Sequence, residues 1–244
     1  MTFVPNTSRD EVMLGNVTGR EMGGFTGRST LIGSTTSDVW DEGGIMVYPT
    51  AAETWELLST DADDTSAGTG ARTVLVTSLS DTFVPQVNLV TLDGTTPVTV
   101  SGTHFRPIGI TVLTSGSING NNEGTLRCRN ASGGAVRMTA LPGRGRSFNS
   151  HYTVPAGKVA RAVQITPFVP KNEDVQLNPR LNLRTDSDSA WIDGGVEPLY
   201  QGAFTFIENN PLGLVAGTDL KIEAASTNEN ITLIVFTDLY IVDA

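Results

Sequence analysis

Residues 63–79 run from a polar, glycine-rich loop (DDTSAGTG) straight into an alternating segment (ARTVLVTSL), and the same punctuation recurs to the C-terminus. A period of two places successive side chains on opposite faces of a strand. Turn signals about every ten residues leave no room for long helices. Such a chain buries its apolar side chains by pairing short strands into sheets that stack face to face. The expected fold is all-β: a jelly-roll-like antiparallel β-sandwich.

Strands are expected at residues 71–79, 84–92, 95–100, 108–113, 124–129, 135–141, 148–154, 159–169, 176–183, 199–207, 220–224 and 231–242. Asp93-Gly94 is a strong hairpin dipeptide leading from the second of these into the third. Residues 51–58 (AAETWELL) have the length for two helical turns, yet their alternation favours a strand. The nearly continuous apolar run at 231–242 predicts a strand buried on both faces. Residues 1–45 read differently, because Gly15, Gly19, Gly23, Gly24, Gly27 and Gly33 interrupt every apolar pair. They are expected to form an extended N-terminal arm, ordered against the body or a neighbour. The body then spans 46–244, with a division into two packed β units near residue 150.

The net charge of −10 argues against general nucleic-acid binding, which needs a basic footprint. Charge is segregated along the chain. Asp38, Asp41, Glu42, Glu53, Glu56, Asp61, Asp63 and Asp64 occupy a stretch without Lys or Arg, whereas Arg127, Arg129, Arg137, Arg144, Arg146, Lys158 and Arg161 follow later. The two blocks either steer docking between subunits or screen each other within one unit. The single cysteine, Cys128, excludes an internal disulfide and suits a buried apolar position. The N-terminus lacks the pattern of a secretory leader, and the apolar run at 231–236 is too short to span a bilayer. No membrane partner is expected, and synthesis is expected in a cytoplasm.

Catalytic groupings are hard to assemble. His104 and His151 are the two imidazoles, and no G-x-S-x-G elbow accompanies them. Both read as strand-edge histidines. No cofactor is expected, and one cysteine with two histidines does not make a zinc site. Asp61, Asp63 and Asp64 offer oxygens to calcium but lack the EF-hand spacing, so turn roles are favoured. Gly143-Arg144-Gly145-Arg146 follows Pro142 as an exposed turn, with docking onto an acidic neighbour as its functional alternative. Trp40 and Trp191 flank similar acidic, glycine-rich loops (VWDEGG and AWIDGG), which suits contact anchors or glycan platforms. Trp40, Arg144, Arg146 and Trp191 are the candidate partner-contact residues, and the chain is expected not to be an enzyme.

The segments SDVWDEGG (37–44), AETWELLS (52–59), DTSAGTGARTV (64–74), VTLDGTTPV (90–98) and YTVPAGK (152–158) resemble, in order, a group of tailed-phage virion proteins. The resemblance covers residues 37–170 well and the C-terminal third loosely. It implies a β-rich structural component of the particle, a homotrimer. Capsid decoration (cement) on a shell of major capsid protein is the foremost role. A tail, fibre or head-to-tail vertex position and a carbohydrate-binding attachment role are the alternatives. The implied location is the virion, with residues 1–45 helping to anchor the protein.

Overall fold

The computed structural model describes residues 9–118, 120–131, 133–169, 174–182, 192–193, 197–199, 202–203, 206–207, 212–228 and 230–244. One short helix, α1 (Arg9–Met13), precedes β1 (Arg20–Ile32) and β2 (Ser37–Asp38). Next come β3 (Trp55–Ser59), β4 (Ala71–Leu79), β5 (Pro85–Thr91), β6 (Val98–Thr99), β7 (Arg106–Ser115), β8 (Leu126–Asn130) and β9 (Val136–Ala140). Then follow β10 (His151–Thr153), β11 (Lys158–Val169), β12 (Val175–Asn182), β13 (Ile192–Asp193), β14 (Glu197–Leu199) and β15 (Gly202–Ala203). The last four are β16 (Phe206–Ile207), β17 (Leu214–Val215), β18 (Asp219–Ser226) and β19 (Ile231–Asp243). The described strand pairs are antiparallel, as alternation and short loops require.

Two sandwiches emerge from this order. In the first, β19 lies between β1 and β11, and β15, β16 and β17 pair successively along the far side of β11. Its facing sheet centres on β18, with β12 on one side and both β2 and β10 on the other. β13 and β14 pair along β12. Leu233, Val235, Leu239 and Ile241 of β19 meet Leu177, Leu220, Ile222 and Ala224 of the facing sheet in its core.

β2 and β10 lie end to end on β18. β2 pairs with Glu223 and Ala224, and β10 with Asp219, Leu220 and Lys221. Between them Val39 N–H donates to Ile222 O at 3.0 Å and Ile222 N–H donates to Ser150 O at 3.1 Å. A bridge joins Trp40 to Asn149. The two act as one interrupted strand, from which residues 41–148 leave and to which they return. Counting β2 with β10, β13 with β14, and β15 to β17 together, the described residues of the first sandwich form eight strands. Their order is first-eighth-third-sixth in one sheet and second-seventh-fourth-fifth in the other.

Residues 41–148 build the second sandwich. Its sheets, β6-β3-β8-β9 and β5-β4-β7, enclose Trp55, Leu57, Val74, Val76, Ile110, Leu126, Cys128 and Met138. The 51–58 ambiguity resolves as strand β3.

Several expectations are corrected. Residues 20–32 form β1, a full strand of the first sandwich paired with β19, so this part of the N-terminal segment is built into the body rather than extending from it. Its glycines allow close approach rather than disrupting the strand. A Cβ on Gly24 would lie 2.5 Å from Thr237 O, and one on Gly27 would lie 2.5 Å from Val39 O. A division falls near residue 150, but the chain before residue 41 packs with the C-terminal part. Asp93-Gly94 does make a tight turn, with Gly94 at φ +59°. However, β6 beyond it pairs with β3 and not with β5, so the turn crosses between sheets. β19 is buried on alternate residues only, with Phe236 of its outer face 48% exposed. Of the strand expected at 199–207, the described residues lie in β14, β15 and β16.

Candidate interaction surfaces

Where the inserted sandwich leaves the first one, charged groups are buried and paired. Asp38 is fully buried: it accepts the Met46 N–H at 2.7 Å and lies 3.0 Å from Lys221 Nζ and 3.3 Å from His151 Nε2. Burial alone would raise the Asp38 carboxyl. The His151 hydrogen bond, the charges of His151 and Lys221, and the Met46 N–H outweigh it and hold the group below its ordinary value. Lys221 also meets Glu223 at 2.6 Å, and Glu223 accepts from Arg180 at 2.9 Å. A second link is Arg106–Asp219, where both side chains are fully buried and Nε lies 3.0 Å from Oδ1.

Asp41 sits at the same junction, 3.3 Å from Arg28. Burial pushes its carboxyl up to about 6, with the charges of Arg28 and Arg144 pulling the other way. A raised folded-state value means stability present near pH 4 is lost as the pH climbs through about 6. A gap of this size is worth at most about 3 kcal/mol. The effective dielectric around such a group exceeds that of a dry interior, which lowers the expectation to about 1–2 kcal/mol. Asp41→Asn should therefore match wild type near pH 4 and gain about that amount on it by pH 7 in paired denaturant titrations. A constant difference across the range would refute the assignment.

The two histidines are packed groups. His104 is fully buried, stacks on Trp55 at 4.7 Å, and its Nδ1 lies 2.8 Å from Ser78 Oγ. Burial moves its imidazole below the usual value. His151 meets Trp40 and Tyr48 edge-on, at 5.9 and 5.7 Å. Cys128 lies in the second core, where burial drives its thiol far above the ordinary range.

Asp64 corrects the grouping of three adjacent aspartates. Its carboxylate is buried and accepts from Ser59 Oγ, Ala71 N, Glu123 N and Gly124 N, at 2.6 to 2.9 Å. With both oxygens used in this way it ties the 60–70 loop to the 123–124 turn. Carboxylate oxygens of Asp61, Asp63 and Glu123 gather instead within 4.8 Å of one another at the surface.

Of the four candidate contact residues, Trp40 is corrected: it is 3% exposed, and its Nε1 donates to Gly43 O and Gly44 O at 2.9 and 3.1 Å. Arg144 and Arg146 are exposed on a turn that uses Gly143 and Gly145 at φ +71° and +66°. The Arg146 guanidinium lies 4.7 Å from the Phe148 ring. Trp191 lies outside the described residues. The acidic and basic blocks meet inside one chain: Glu42–Arg127 at 2.9 Å, Glu53–Arg137 at 2.6 Å and Glu56–Arg129 at 2.6 Å. Internal pairing accounts for these groups, so they do not remain available as docking charges.

One surface escaped the sequence reading. On the outer side of β5-β4-β7, Val87, Thr77 and Gly109 form one row, Leu89, Leu75 and Thr111 the next, and Thr91, Thr73 and Thr114 a third, with Leu113 beside it. None carries a charge. Val87, Leu89 and Leu113 are 65, 62 and 55% exposed. β7 is flanked by residues 145–147, through Val112 N–H to Gly145 O at 2.7 Å and Ser147 N–H to Ile110 O at 3.0 Å. β5 is the open edge, and no described strand lies beyond it. The available signal was a scarcity of charge: between Arg72 and Arg106 only Asp81 and Asp93 are acidic, and no Lys or Arg intervenes.

No protein-family model matches the chain, and a search of curated proteins gives no match. Among solved structures, the crystal structure of the STIV MCP aligns over 89% of this chain and 96% of that one, at 7% identity and a TM-score of 0.26. A TM-score that low carries no weight for fold or function.

Proposed function

We propose that the chain is a structural protein of a phage particle: a homotrimeric decoration (cement) protein on the outer surface of a major capsid protein shell. Its body is a jelly roll carrying an inserted sandwich. The observation that carries this reading is the strand order, first-eighth-third-sixth facing second-seventh-fourth-fifth, with the second strand interrupted at residues 41–148. Jelly rolls of eight strands serve in viral capsids and in lectins. The resemblance of residues 37–170 to tailed-phage virion proteins favours the particle. The mechanism is mechanical: a stiff body presents pleated faces to its neighbours, and symmetry multiplies each modest contact over many copies.

The test is a copy count per purified particle, by quantitative mass spectrometry of particles from the phage that encodes this chain. Shell decoration requires on the order of hundreds of copies, whereas a tail or vertex part requires about a dozen or fewer. Absence from the particle would overturn the virion reading. Glycan-array binding by the purified protein would then favour the lectin use of the same topology.

A further inference from the structure

We propose that the outer face of β5-β4-β7, whose strands carry no charge there, is where copies of this chain associate. This rests on the virion reading and deepens it by naming the surface behind its self-association.

Charge is the first argument. A chain of net charge −10 repels its own copies. The opposite sheet of the same sandwich turns outward with Glu56, Arg127 and Arg129 in ion pairs. The β1-β19-β11 sheet carries Arg28 and Lys158, each in an ion pair. The three strands of the β5-β4-β7 face present no ionisable side chain, and the exposed Arg146, bridged to Thr111, stands at its rim, so like-charged copies meet there with little local Coulomb penalty.

Exposure is the second argument. Val87 and Leu89 stand side by side on one strand, more than three-fifths exposed, with Leu75 next to Leu89 in register and Leu113 across the sheet. Contiguous patches of this kind mark contact sites, while isolated exposed apolar residues do not. Rows three strands wide present on the order of 500 Å². That is about two-thirds of the ~800 Å² per partner in a standard interface, and the loops at the rim supply the rest.

The open edge is the third. β5 is an uncharged seven-residue edge strand whose one protective residue is Pro85 at its start, which leaves the Gln86–Thr91 edge without the Lys or covering element that exposed edges ordinarily have. A neighbouring copy seated at this face would also cover that edge. A glycan is a poor occupant, because the face holds no aromatic platform.

The purified full chain is weighed by light scattering after size exclusion, beside Val87→Lys/Leu89→Lys and, on another strand of the face, Leu113→Glu. Phe236→Lys, on the outer side of the first sandwich, serves as the control. Wild type and control should elute at a multiple of the chain mass. The face variants should dissociate at least about 100-fold more readily, since unmatched charge in an interface costs several kcal/mol. All four should keep the same thermal melt as isolated chains, because the altered side chains point to solvent. Two variants on different strands guard against a local folding defect. A wild type that weighs as a single chain at its highest soluble concentration would overturn the proposal. So would face variants that retain the wild-type mass. A mass of two chains would keep this surface but remove the homotrimer, and the particle count tests the virion reading separately.

Discussion

Arg106→Ala should lower the unfolding free energy by about 3–5 kcal/mol, because it strands a buried carboxylate without its partner. Arg106 opens β7 of the inserted sandwich, and Asp219 opens β18 of the first. Its Nε donates to both Asp219 oxygens, at 3.0 and 3.3 Å, and its Nη1 donates to Pro49 O and Phe105 O, at 3.0 and 3.1 Å. The guanidinium also lies 4.0 Å from the Phe105 ring and 5.0 Å from the Tyr48 ring. Asp219 accepts a further hydrogen bond from Thr153 Oγ1 at 2.6 Å. For a chain of this size the loss corresponds to a melting temperature lower by about 10 °C. Arg106→Lys should recover little, since an ammonium cannot reproduce the planar fork or the ring stacking. Arg106→Met with Asp219→Leu should recover part of it, because it removes the unpaired charge but does not restore the hydrogen bonds of Pro49 O, Phe105 O and Thr153 Oγ1. A melt for Arg106→Ala within a degree or two of wild type would show that the two sandwiches do not depend on this pair.

Asp64→Ala should cost about 4 kcal/mol, with Asp64→Asn near half of that. The alanine leaves three backbone N–H groups, of Ala71, Glu123 and Gly124, without an acceptor in a dry site. Each such group costs about 1–3 kcal/mol. Asparagine keeps one oxygen for two of the donors, and its amide can donate to Ser59 Oγ. That arrangement orphans a single N–H. Chemical denaturation of the three proteins checks the graded order, and equal stability for alanine and asparagine would contradict it.

Local chemistry made much of the fold legible. β4 falls at the residues its alternation predicts, and β11 differs by one at its start, since apolar and polar positions alternate and a turn glycine, Gly70 or Gly157, directly precedes each. β1 was illegible for the opposite reason. Its glycines are set by how near Thr237 O and Val39 O approach, a distance fixed by strands more than a hundred residues away in sequence or by the following turn. Asp93-Gly94 misled because a turn dipeptide specifies the local reversal and says nothing about which strand receives the next segment. Trp40 has the composition of an exposed anchor, yet the two carbonyls of its own glycine loop satisfy its indole within a buried corner.

Alternation, glycine punctuation and the scarcity of charge in residues 73–105 sufficed to require antiparallel sheets and to leave one of them neutral on its outside. These are properties of neighbouring residues, and a chain states them locally. Which strands pair across β19 and β18, where one strand is split to admit a second sandwich, and which aspartates end in dry, fully paired sites were decided by packing. Those outcomes depend on long-range closure of two cores, whose contacts join residues as distant as Arg106 and Asp219 and leave no local period to read.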